Sequence, residues 1–401
     1  MMSEATPSAT KPDPGGWYYH PFEMAFSGYS GAGKTTLVEK LVRHYQGGGR
    51  KVAFLKRDAH FFEIDRQGKD TYRAADAGAV VVAVEDKTHS AIILDHGPQG
   101  PSRSILQQSV AGADIVFIEG RKHSPLPKIV LLDPRNEVDQ ELSSGAMERV
   151  AGVVYRRGDE ARARGCRDLY VEAAGLEPEE VPVVERDDVE RIVAILDRLW
   201  LSRVPPVTGL VMVGGQSTRM GRDKCAIETH QGVSAARRAV DLLSDVCDRV
   251  CISARPDQRL PADVVSVPRV DDRFLDFGPV GGILTALYRE PRTAWLVVGC
   301  DLPLLTTQDL QYLLSRRDPF KVATAFAVGD GDNLRPEPLC AVWEPRSRGR
   351  ILSFLQEGAG RPRWILRNGA VHLVEPENPN ATYNANTPAD LAAAGVEGSA
   401  Q

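Results

Sequence analysis

Two different glycine-rich signatures, each behind its own apolar run, constrain this chain more than any other feature of its sequence. The first runs from Gly28 to Thr35 and reads Gly-Tyr-Ser-Gly-Ala-Gly-Lys-Thr. The second runs from Gly214 to Lys224 and reads Gly-Gly-Gln-Ser-Thr-Arg-Met-Gly-Arg-Asp-Lys. Because the two loops differ in design, the chain is not a duplicated domain. It combines two different phosphate-binding modules.

Length and composition agree with two globular modules. The 401 residues exceed the roughly 100–200 residues of an ordinary domain. Apolar residues make up 42% and charged residues 26%, and the net charge of −5 does not indicate a nucleic-acid-binding surface. No apolar run approaches the roughly 20 residues of a membrane span. We therefore expect neither a nucleic acid nor a membrane as partner.

The cysteines are scattered, which argues against a disulfide framework. They are six in number: Cys166, Cys225, Cys247, Cys251, Cys300 and Cys340. Cys247 and Cys251 have the spacing of a metal or redox pair, but no second Cys or His pair accompanies them. Burial as small apolar residues is the favoured interpretation.

A proline pair divides the sequence. Arg203-Val204-Pro205-Pro206-Val207 ends a predicted helix and stiffens a short linker. Residues 1–22 are expected to form a disordered leader, because they lack the apolar core of a signal peptide, and we expect a cytoplasmic location. The predicted domains are 23–201 and 207–397.

Short apolar runs alternate with helix-like stretches in both halves, which predicts an α/β fold with mainly parallel sheets. Strands are predicted in the first half at Met24–Phe26, Val52–Leu55, Val80–Val84, Ile92–Leu94, Ile115–Ile118 and Ile129–Leu132. Strands are predicted in the second half at Gly209–Val213, Val250–Ser253, Val264–Val267, Trp295–Gly299, Val322–Val328 and Leu339–Trp343. Helices are predicted at Thr36–Tyr45, Val189–Trp200, Ser234–Leu243, Gly281–Arg289 and Thr307–Arg316, with Asp188 as the N-cap of the second.

The first loop fits the pattern G-x-x-x-x-G-K-S/T between a strand and a helix, the context that a P-loop needs. Its backbone N–H groups would point at phosphate oxygens, Lys34 would reach the terminal phosphates, and Thr35 would bind Mg²⁺. Glu119 ends a later apolar run, where a carboxylate can hold a magnesium-bound water.

The second loop is longer and offers two cations, Arg219 and Lys224, which would neutralise charge on a leaving pyrophosphate. Asp301 ends the apolar run Trp295–Gly299 and is placed to bind Mg²⁺ at the sheet edge where ligands bind. Asn384 and Asn386 offer two amides on one face of an extended segment. Thr387 and Pro388, which follow, are also a good helix N-cap and first helical residue.

The first half resembles the MobB family of molybdopterin-guanine dinucleotide biosynthesis adaptors. The resemblance lies in the P-loop, Lys56–His60, Gly68–Arg73, Ile118–Lys122 and Pro127–Ile129. It implies a P-loop NTPase fold that binds GTP and assists a partner enzyme. It also implies phosphate contacts at Gly31, Gly33, Lys34, Thr35 and Thr36.

The second half resembles the MobA family of molybdenum cofactor guanylyltransferases, through the second loop, Gly278–Gly282, Cys300–Pro303 and Asn384–Pro388. The resemblance implies a Rossmann-like nucleotidyltransferase domain that transfers GMP from Mg-GTP to molybdopterin. Apoproteins of molybdoenzymes, or their chaperones, are then candidate partners. The implied nucleotide contacts are Met212, Val213, Gly214, Gly215, Lys224, Asp271 and Asp301.

This half departs from the MobA pattern at two positions. Val213 stands where Ala is common in the family. Arg255 stands where Asn is common, so we do not carry over the ribose or base contact at that position.

Three other functions fit the same motifs. The chain could transfer CMP, or use a sugar or corrinoid phosphate as acceptor. It could be a GTP switch or carrier whose second half only binds cofactor. The first half could also be the catalytic NTPase and the second half its substrate.

Overall fold

The computed structural model describes residues 17–57, 65–96, 102–213, 224–228, 232–329, 331–358 and 360–395. Over these residues the chain divides into two compact units, Trp17–Trp200 and the part from Leu201 onward. We call them the N-terminal and the C-terminal unit. Among the described residues, none of the helices combines the length and the apolarity that crossing a membrane requires. Residues 1–16 of the predicted leader lie outside the described residues. Residues 17–22 are not disordered as predicted, because Tyr19 and Phe22 are buried and the Tyr19 N–H donates to Glu23 Oε2 at 2.7 Å.

The main sheet of the N-terminal unit is parallel throughout, which confirms the predicted α/β class. Its order is β2-β5-β1-β6-β7-β8. The strands are β1 (Glu23–Ser27), β2 (Val52–Lys56), β5 (Ile115–Glu119), β6 (Lys128–Leu131), β7 (Val150–Tyr155) and β8 (Val183–Glu185). Every residue of β1, β5 and β6 is buried, as expected for central strands covered on both faces.

Helices connect these strands. They are α1 (Lys34–Gly47), α2 (Asp70–Asp76), α3 (Arg103–Val110), α4 (Glu137–Ser143), α5 (Glu160–Ala174) and α6 (Val189–Leu201). Helix α1 buries Leu37, Val38, Leu41 and Tyr45, the spacing of one helical face. The predicted cap of α6 is confirmed, because the backbone N–H of Arg191 donates to Asp188 Oδ1 at 3.1 Å.

Two predicted strands lie outside the main sheet. β3 (Val81–Glu85) and β4 (Ser90–Leu94) pair with each other in antiparallel orientation. The short connection between them permits only a hairpin, since a parallel crossover needs a dozen residues or more. Val81, Val84 and Ile92 remain exposed on this hairpin.

The C-terminal unit has a mostly parallel sheet with one reversed strand. Its order is β11-β10-β9-β12-β14-β13-β15, and β14 is antiparallel to both neighbours. The strands are β9 (Val207–Met212), β10 (Val250–Ala254), β11 (Arg269–Asp271), β12 (Ala294–Gly299), β13 (Ala323–Val328), β14 (Arg335–Trp343) and β15 (Val371–Val374). The helices are α7 (Ala235–Ser244), α8 (Pro279–Arg289), α9 (Thr307–Ser315), α10 (Ser347–Gln356), α11 (Pro362–Arg367) and α12 (Pro388–Ala393).

Successive residues of β9 face opposite sides of this sheet, so the unit has a core on each face. Leu210 packs in the core with Trp295 and Trp343, whereas Val211 packs in the other core, which includes Val240 of α7 and Leu296. The strand is therefore fixed from both sides up to the residue at which the second glycine loop begins.

The predicted strand at Val264–Val267 is wrong. Residues Ala262–Val264 form a short 3₁₀ helix, and Val265 is 68% exposed. The turn is held by Asp263, whose carboxylate accepts hydrogen bonds from the backbone N–H and the hydroxyl of Ser234, at 2.8 and 2.9 Å. Pro261 and Pro268 flank this valine-rich run and restrict its backbone further. The strand β11 begins only after Pro268.

The cysteine pair is buried, as predicted. Cys247 and Cys251 are 9% and 3% exposed and pack into different cores. Burial raises the pKa of the Cys247 thiol to about 11. Neither environment favours the thiolate that a metal or a redox partner would need.

The N-terminal unit buries an ammonium group next to its central strand. Lys128 on β6 is fully buried, and its Nζ donates to the backbone carbonyls of Ser124, at 2.9 Å, and of Glu148. Burial lowers the pKa of Lys128 to about 8. These two hydrogen bonds link the segment before β6 to the segment before β7.

Lys128 makes the stability of this unit depend on pH. The pKa of lysine is near 10.5 in the unfolded chain, so the unfolded chain binds more protons than the folded one between about pH 8 and 10.5. The free energy of unfolding therefore rises with pH across this window, by about 3 kcal/mol in total.

We expect Lys128→Met to remove this rise. The measurement is the urea dependence of hydrogen exchange in β6 amides at pH 7.5 and 9.5, with Lys87→Met on the exposed hairpin turn as the matched control. An unchanged pH dependence in Lys128→Met would contradict the assignment.

Candidate functional site

The first glycine loop leaves β1 at Ser27 and enters α1 at Lys34. Gly28 has a φ of 147°, and a Cβ there would stand 2.5 Å from the carbonyl oxygen of Leu131. Gly33, the residue before α1, has a φ of 93°, which disfavours any side chain. The loop therefore depends on glycine at both ends. It presents the N-terminus of α1, whose first N–H groups have no acceptor within the helix.

Lys34 is folded onto its own loop. Its Nζ donates to the carbonyl of Tyr29 at 2.9 Å. Burial lowers the pKa of Lys34, although the nearby Glu119 carboxylate opposes this. A phosphate oxygen would be a stronger, charged acceptor for the same ammonium group.

The two candidate metal ligands of this unit lie in contact. Thr35 Oγ1 donates to Glu119 Oε2 at 2.8 Å. Glu119 is 6% exposed, and its Oε1 lies 3.7 Å from Lys56 Nζ. One hydroxyl and one carboxylate beside a phosphate loop fit Mg²⁺, which usually keeps several waters and takes its other ligands from phosphates. No group of three or more His, Cys, Asp or Glu in the described part of the chain would hold a metal by itself.

Strand order explains why distant segments meet here. Lys56 at the end of β2 pairs with Glu119 at the end of β5, and β5 pairs with β1. The exposed Thr36 follows Thr35 in the first turn of α1. Residues 58–60 lie outside the described residues. The phosphate contacts at Gly31, Gly33, Lys34, Thr35 and Thr36 stay predictions.

A second cation beside this loop was missed by the sequence analysis. Lys122 Nζ lies 3.5 Å from the centre of the Tyr29 ring and 2.9 Å from Glu141 Oε1, and the Tyr29 hydroxyl donates to the same carboxylate oxygen. Although burial opposes it, these hydrogen bonds hold the pKa of Glu141 below its ordinary value. Lys122 is the last residue of the segment Ile118–Lys122, but its partner Glu141 stands on α4, which no local pattern connects to the loop.

Two hydrogen bonds fix the backbone of Val213, the residue from which the second glycine loop starts. Val213 donates its N–H to the Ser253 carbonyl at 3.3 Å and accepts from the Gln258 side-chain amide at 2.9 Å. Met212 precedes it on β9 and packs against Gly282, where a Cβ would stand 2.7 Å from the Met212 methyl group. Gly214, Gly215 and Arg219 lie outside the described residues. Lys224 begins a 3₁₀ helix, Lys224–Ala226, and its side chain is outside the described part.

Asp301 lies just beyond β12, the neighbour of β9. Its Oδ1 would stand 2.6 Å from a Cβ on Gly299, so glycine there makes room for the carboxylate. From β9 the chain adds β10 and β11 on one side, and it then adds β12 on the other side of β9. Ligands of open α/β sheets bind at such a switch point. The end of β9, from which the second loop starts, and Asp301 therefore flank the position where this topology places a ligand.

The asparagine segment joins the same place. The backbone N–H of Ala385 donates to the Asp301 carbonyl at 2.9 Å, which brings Asn384 beside Asp301. Asn384 Oδ1 is buried and has no hydrogen-bond partner among the described residues. A carboxylate and an unused amide oxygen suit Mg²⁺, which prefers oxygen ligands. The segment also caps α12, because Thr387 accepts from the N–H of Asp390, so the predicted cap is confirmed.

Asp271 lies apart from this group. It ends the edge strand β11, and its Oδ1 pairs with Arg269 Nε at 2.6 Å. Three strand spacings separate β11 from β12, about 14 Å. The structure thus brings Asn384 beside Asp301 and leaves Asp271 on the edge strand of the sheet. The nucleotide contacts at Met212, Val213, Asp271, Asp301, Asn384 and Asn386 stay predictions.

Two acidic residues near these positions were missed. Asp272 accepts from the Ser253 hydroxyl at 2.6 Å, and burial raises its pKa. Glu337 accepts from Arg363 Nη2 at 2.8 Å; burial raises its pKa, and the charge of Asp301 adds to the effect. The antiparallel pairing of β14 with β12 ends at Cys340 and Val298, and Glu337 lies close enough to Asp301 to respond to its charge.

Comparisons with known proteins match each half separately. The family described as molybdopterin guanine dinucleotide synthesis protein B matches residues 24–155, and the MobA-like NTP transferase domain family matches residues 209–372. The molybdopterin-guanine dinucleotide biosynthesis adapter protein of Haemophilus influenzae is 34% identical over 29% of this chain and 69% of its own length. A probable molybdenum cofactor guanylyltransferase of Natronomonas pharaonis is 36% identical over 38% of this chain and 75% of its own length.

A bifunctional relative is also found. The molybdenum cofactor biosynthesis bifunctional protein of Synechocystis is 34% identical over 46% of this chain, and the match spans about half of that relative, 52%. Among solved structures, molybdopterin-guanine dinucleotide biosynthesis protein A of Archaeoglobus fulgidus is 20% identical over 47% of this chain and 96% of its own, with a TM-score of 0.38. Bacillus subtilis MobB is 27% identical over 44% and 98%, with a TM-score of 0.32.

We expect Glu119→Gln to weaken nucleoside triphosphate binding by the N-terminal unit roughly tenfold in the presence of Mg²⁺ and to leave metal-free binding unchanged. The amide keeps the shape of the side chain but removes the charge that attracts the ion. Titration of a fluorescent GTP analogue with Mg²⁺ or with EDTA measures this. Glu39→Gln on the exposed face of α1 is the matched control, and equal effects with and without Mg²⁺ would exclude a metal role.

Proposed function

We propose that this protein is a molybdenum cofactor guanylyltransferase. The premise is that its chain belongs to two families at once. Its N-terminal half belongs to the molybdopterin guanine dinucleotide synthesis protein B family. Its C-terminal half belongs to the MobA-like NTP transferase family. In this proposal the C-terminal unit transfers GMP from Mg-GTP to the phosphate of molybdopterin and releases pyrophosphate. The observation that carries it is the backbone hydrogen bond from Ala385 to the Asp301 carbonyl, which places Asn384 next to Asp301 at the switch point beside β9.

The reaction is an in-line displacement at the α-phosphorus. The acceptor is already a phosphate monoester, largely ionised at neutral pH, so the unit needs no strong general base and no covalent nucleophile. Its residues position the two substrates and neutralise charge. Arg219 and Lys224 would take up the charge of the leaving pyrophosphate.

Asp301 and Asn384 would hold the magnesium ion. When bound, the ion supplies charge neutralisation to the phosphate oxygens. Asp301 contributes the anionic ligand, and Gly299 leaves it the space. Asn384 contributes an amide oxygen that no group of the described residues occupies.

Asp271, on the edge strand β11, is proposed as a contact for the sugar or base of GTP. Arg255 is not part of this contact. Its Nε lies 3.6 Å from Asp257 Oδ1, and its carbonyl accepts from Arg269. These contacts support leaving Arg255 out of the nucleotide site.

The N-terminal unit is proposed as a GTP-binding adaptor that supports the transferase and passes the product toward apo-molybdoenzymes or their chaperones. Covalent linkage keeps an otherwise weak partner at high effective concentration.

The test is pyrophosphate release with Mg-GTP in the presence and absence of molybdopterin, with Mg-CTP as the control nucleotide. Release that requires molybdopterin and GTP supports the proposal. Release with CTP alone would make the protein a cytidylyltransferase, and no release with either nucleotide would leave a binding protein.

Asp301→Asn should lose most of the transfer activity, because the amide removes the anionic magnesium ligand.

Lys224→Ala should lower kcat more than it raises KM for GTP, because charge on the leaving group builds up in the transition state. Steady-state pyrophosphate release measures both. Asp241→Asn on the exposed side of α7 is the control for Asp301→Asn, and near-normal turnover by both site variants would refute the assignment.

Lys34→Ala should reduce but not abolish GMP transfer, because its loop belongs to the adaptor unit. The same assay, with bound nucleotide counted per chain, measures this. Complete loss of transfer in a folded variant would place catalysis in the N-terminal unit instead.

A further inference from the structure

Two arginines extend from neighbouring strand ends toward the first glycine loop. Arg156 follows β7 and Arg186 follows β8. The N–H of Arg186 donates to the Tyr155 carbonyl at 2.7 Å, so the parallel pairing continues past the end of β8 and keeps the two residues on one edge. Neither belongs to a motif recognised in the sequence.

Both arginines touch the loop. Arg156 Nη2 donates to the carbonyl of Gly31. The Arg186 side chain lies along Gly33, where an added Cβ would stand 2.9 Å from Nη1 and 3.2 Å from Cδ. The guanidinium groups therefore lie directly against the loop that is proposed to hold phosphates.

Both side chains have an N–H group that could still donate a hydrogen bond to a ligand. The Nε atoms of Arg156 and Arg186 are buried and have no hydrogen-bond partner among the residues that the structure describes. Arg186 Nη2 pairs only loosely with Asp187 Oδ2, at 3.2 Å, and that residue also binds Lys40 through Oδ1, at 2.7 Å. Burying an N–H group without an acceptor costs free energy, and a bound ligand that offers oxygen or ring nitrogen atoms would remove this cost.

The sheet order indicates which part of a nucleotide they would meet. Thr35 and Glu119 lie on the β5 side of β1, where the metal and the terminal phosphates belong. Arg156 and Arg186 lie on the opposite side, two and three strands from β1, or about 10 and 14 Å. A nucleotide that lies along the carboxyl edge, with its terminal phosphates near Glu119, would extend its sugar and base toward the arginines.

We propose that Arg156 and Arg186 bind the purine base and sugar of the nucleotide whose phosphates the first glycine loop holds. Planar guanidinium groups stack on aromatic rings and donate hydrogen bonds from their edges. The inference rests on the proposed GTP binding of the N-terminal unit and assigns its specificity to residues outside the phosphate loop.

Isothermal titration of the full chain with Mg-GTP and with Mg-tripolyphosphate tests this. Tripolyphosphate carries the phosphates without base or sugar, and Lys34→Ala identifies the binding that belongs to the first loop. We expect Arg156→Gln and Arg186→Gln each to weaken GTP binding roughly tenfold and to leave tripolyphosphate binding unchanged. Arg157→Gln and Arg191→Gln, which change exposed neighbours by the same charge, should bind both probes normally.

Four results would overturn the inference. Equal losses for the two probes would make the arginines phosphate ligands, and no loss for either would make them bystanders. A wild-type chain that binds tripolyphosphate as tightly as GTP would have a phosphate loop without a base contact. A wild-type chain with no Lys34-dependent binding of either probe would refute the proposed GTP site itself.

Folding is checked by thermal unfolding of each variant. Should a glutamine variant fail to fold, Arg156→Lys and Arg186→Lys keep the charge but lose the planar group. They should still weaken GTP binding and spare tripolyphosphate binding.

Discussion

Parallel pairing of a central strand with its neighbour is the constraint on which both candidate sites depend. β1 with β5, and β9 with β12, end at the same edge of their sheets. A loop that follows one strand therefore meets an acid that follows the other. Thr35 reaches Glu119 in this way, and the second loop starts beside the strand that ends before Asp301. Glycine at 28, 33 and 299 permits the close approach.

The two sites differ in how their charge is distributed. The N-terminal loop is surrounded by cations, since Lys34, Lys122, Arg156 and Arg186 all approach it. The described part of the C-terminal site is acidic around Asp301 and Glu337. Its proposed cations lie on the second loop. The lysines beside the first loop suit a polyphosphate, whereas carboxylates suit a metal ion.

Local patterns predicted the central strands β1, β5, β9 and β12, the α1 helix, the caps and the residues that end these strands, because each depends on neighbours in sequence. They did not predict β7, β8, β11 or β15. The sequence did not predict that β14 would run antiparallel, so the approach of Glu337 to Asp301 was missed. Arg156 and Arg186 were missed because their relation to the first loop depends on the order of β6, β7 and β8. The valines at 264–267 were misassigned because composition favoured a strand while prolines and Asp263 imposed a turn.

The hydrogen bond from Ala385 to Asp301 also determines when the second site can form. Asp301 leaves the ribosome well before Asn384, so a nascent chain holds half of the proposed magnesium pocket until the later segment has emerged. The first loop and Glu119 are complete much earlier, and domains generally fold as units during synthesis. The N-terminal unit can therefore fold while the C-terminal unit is still being translated.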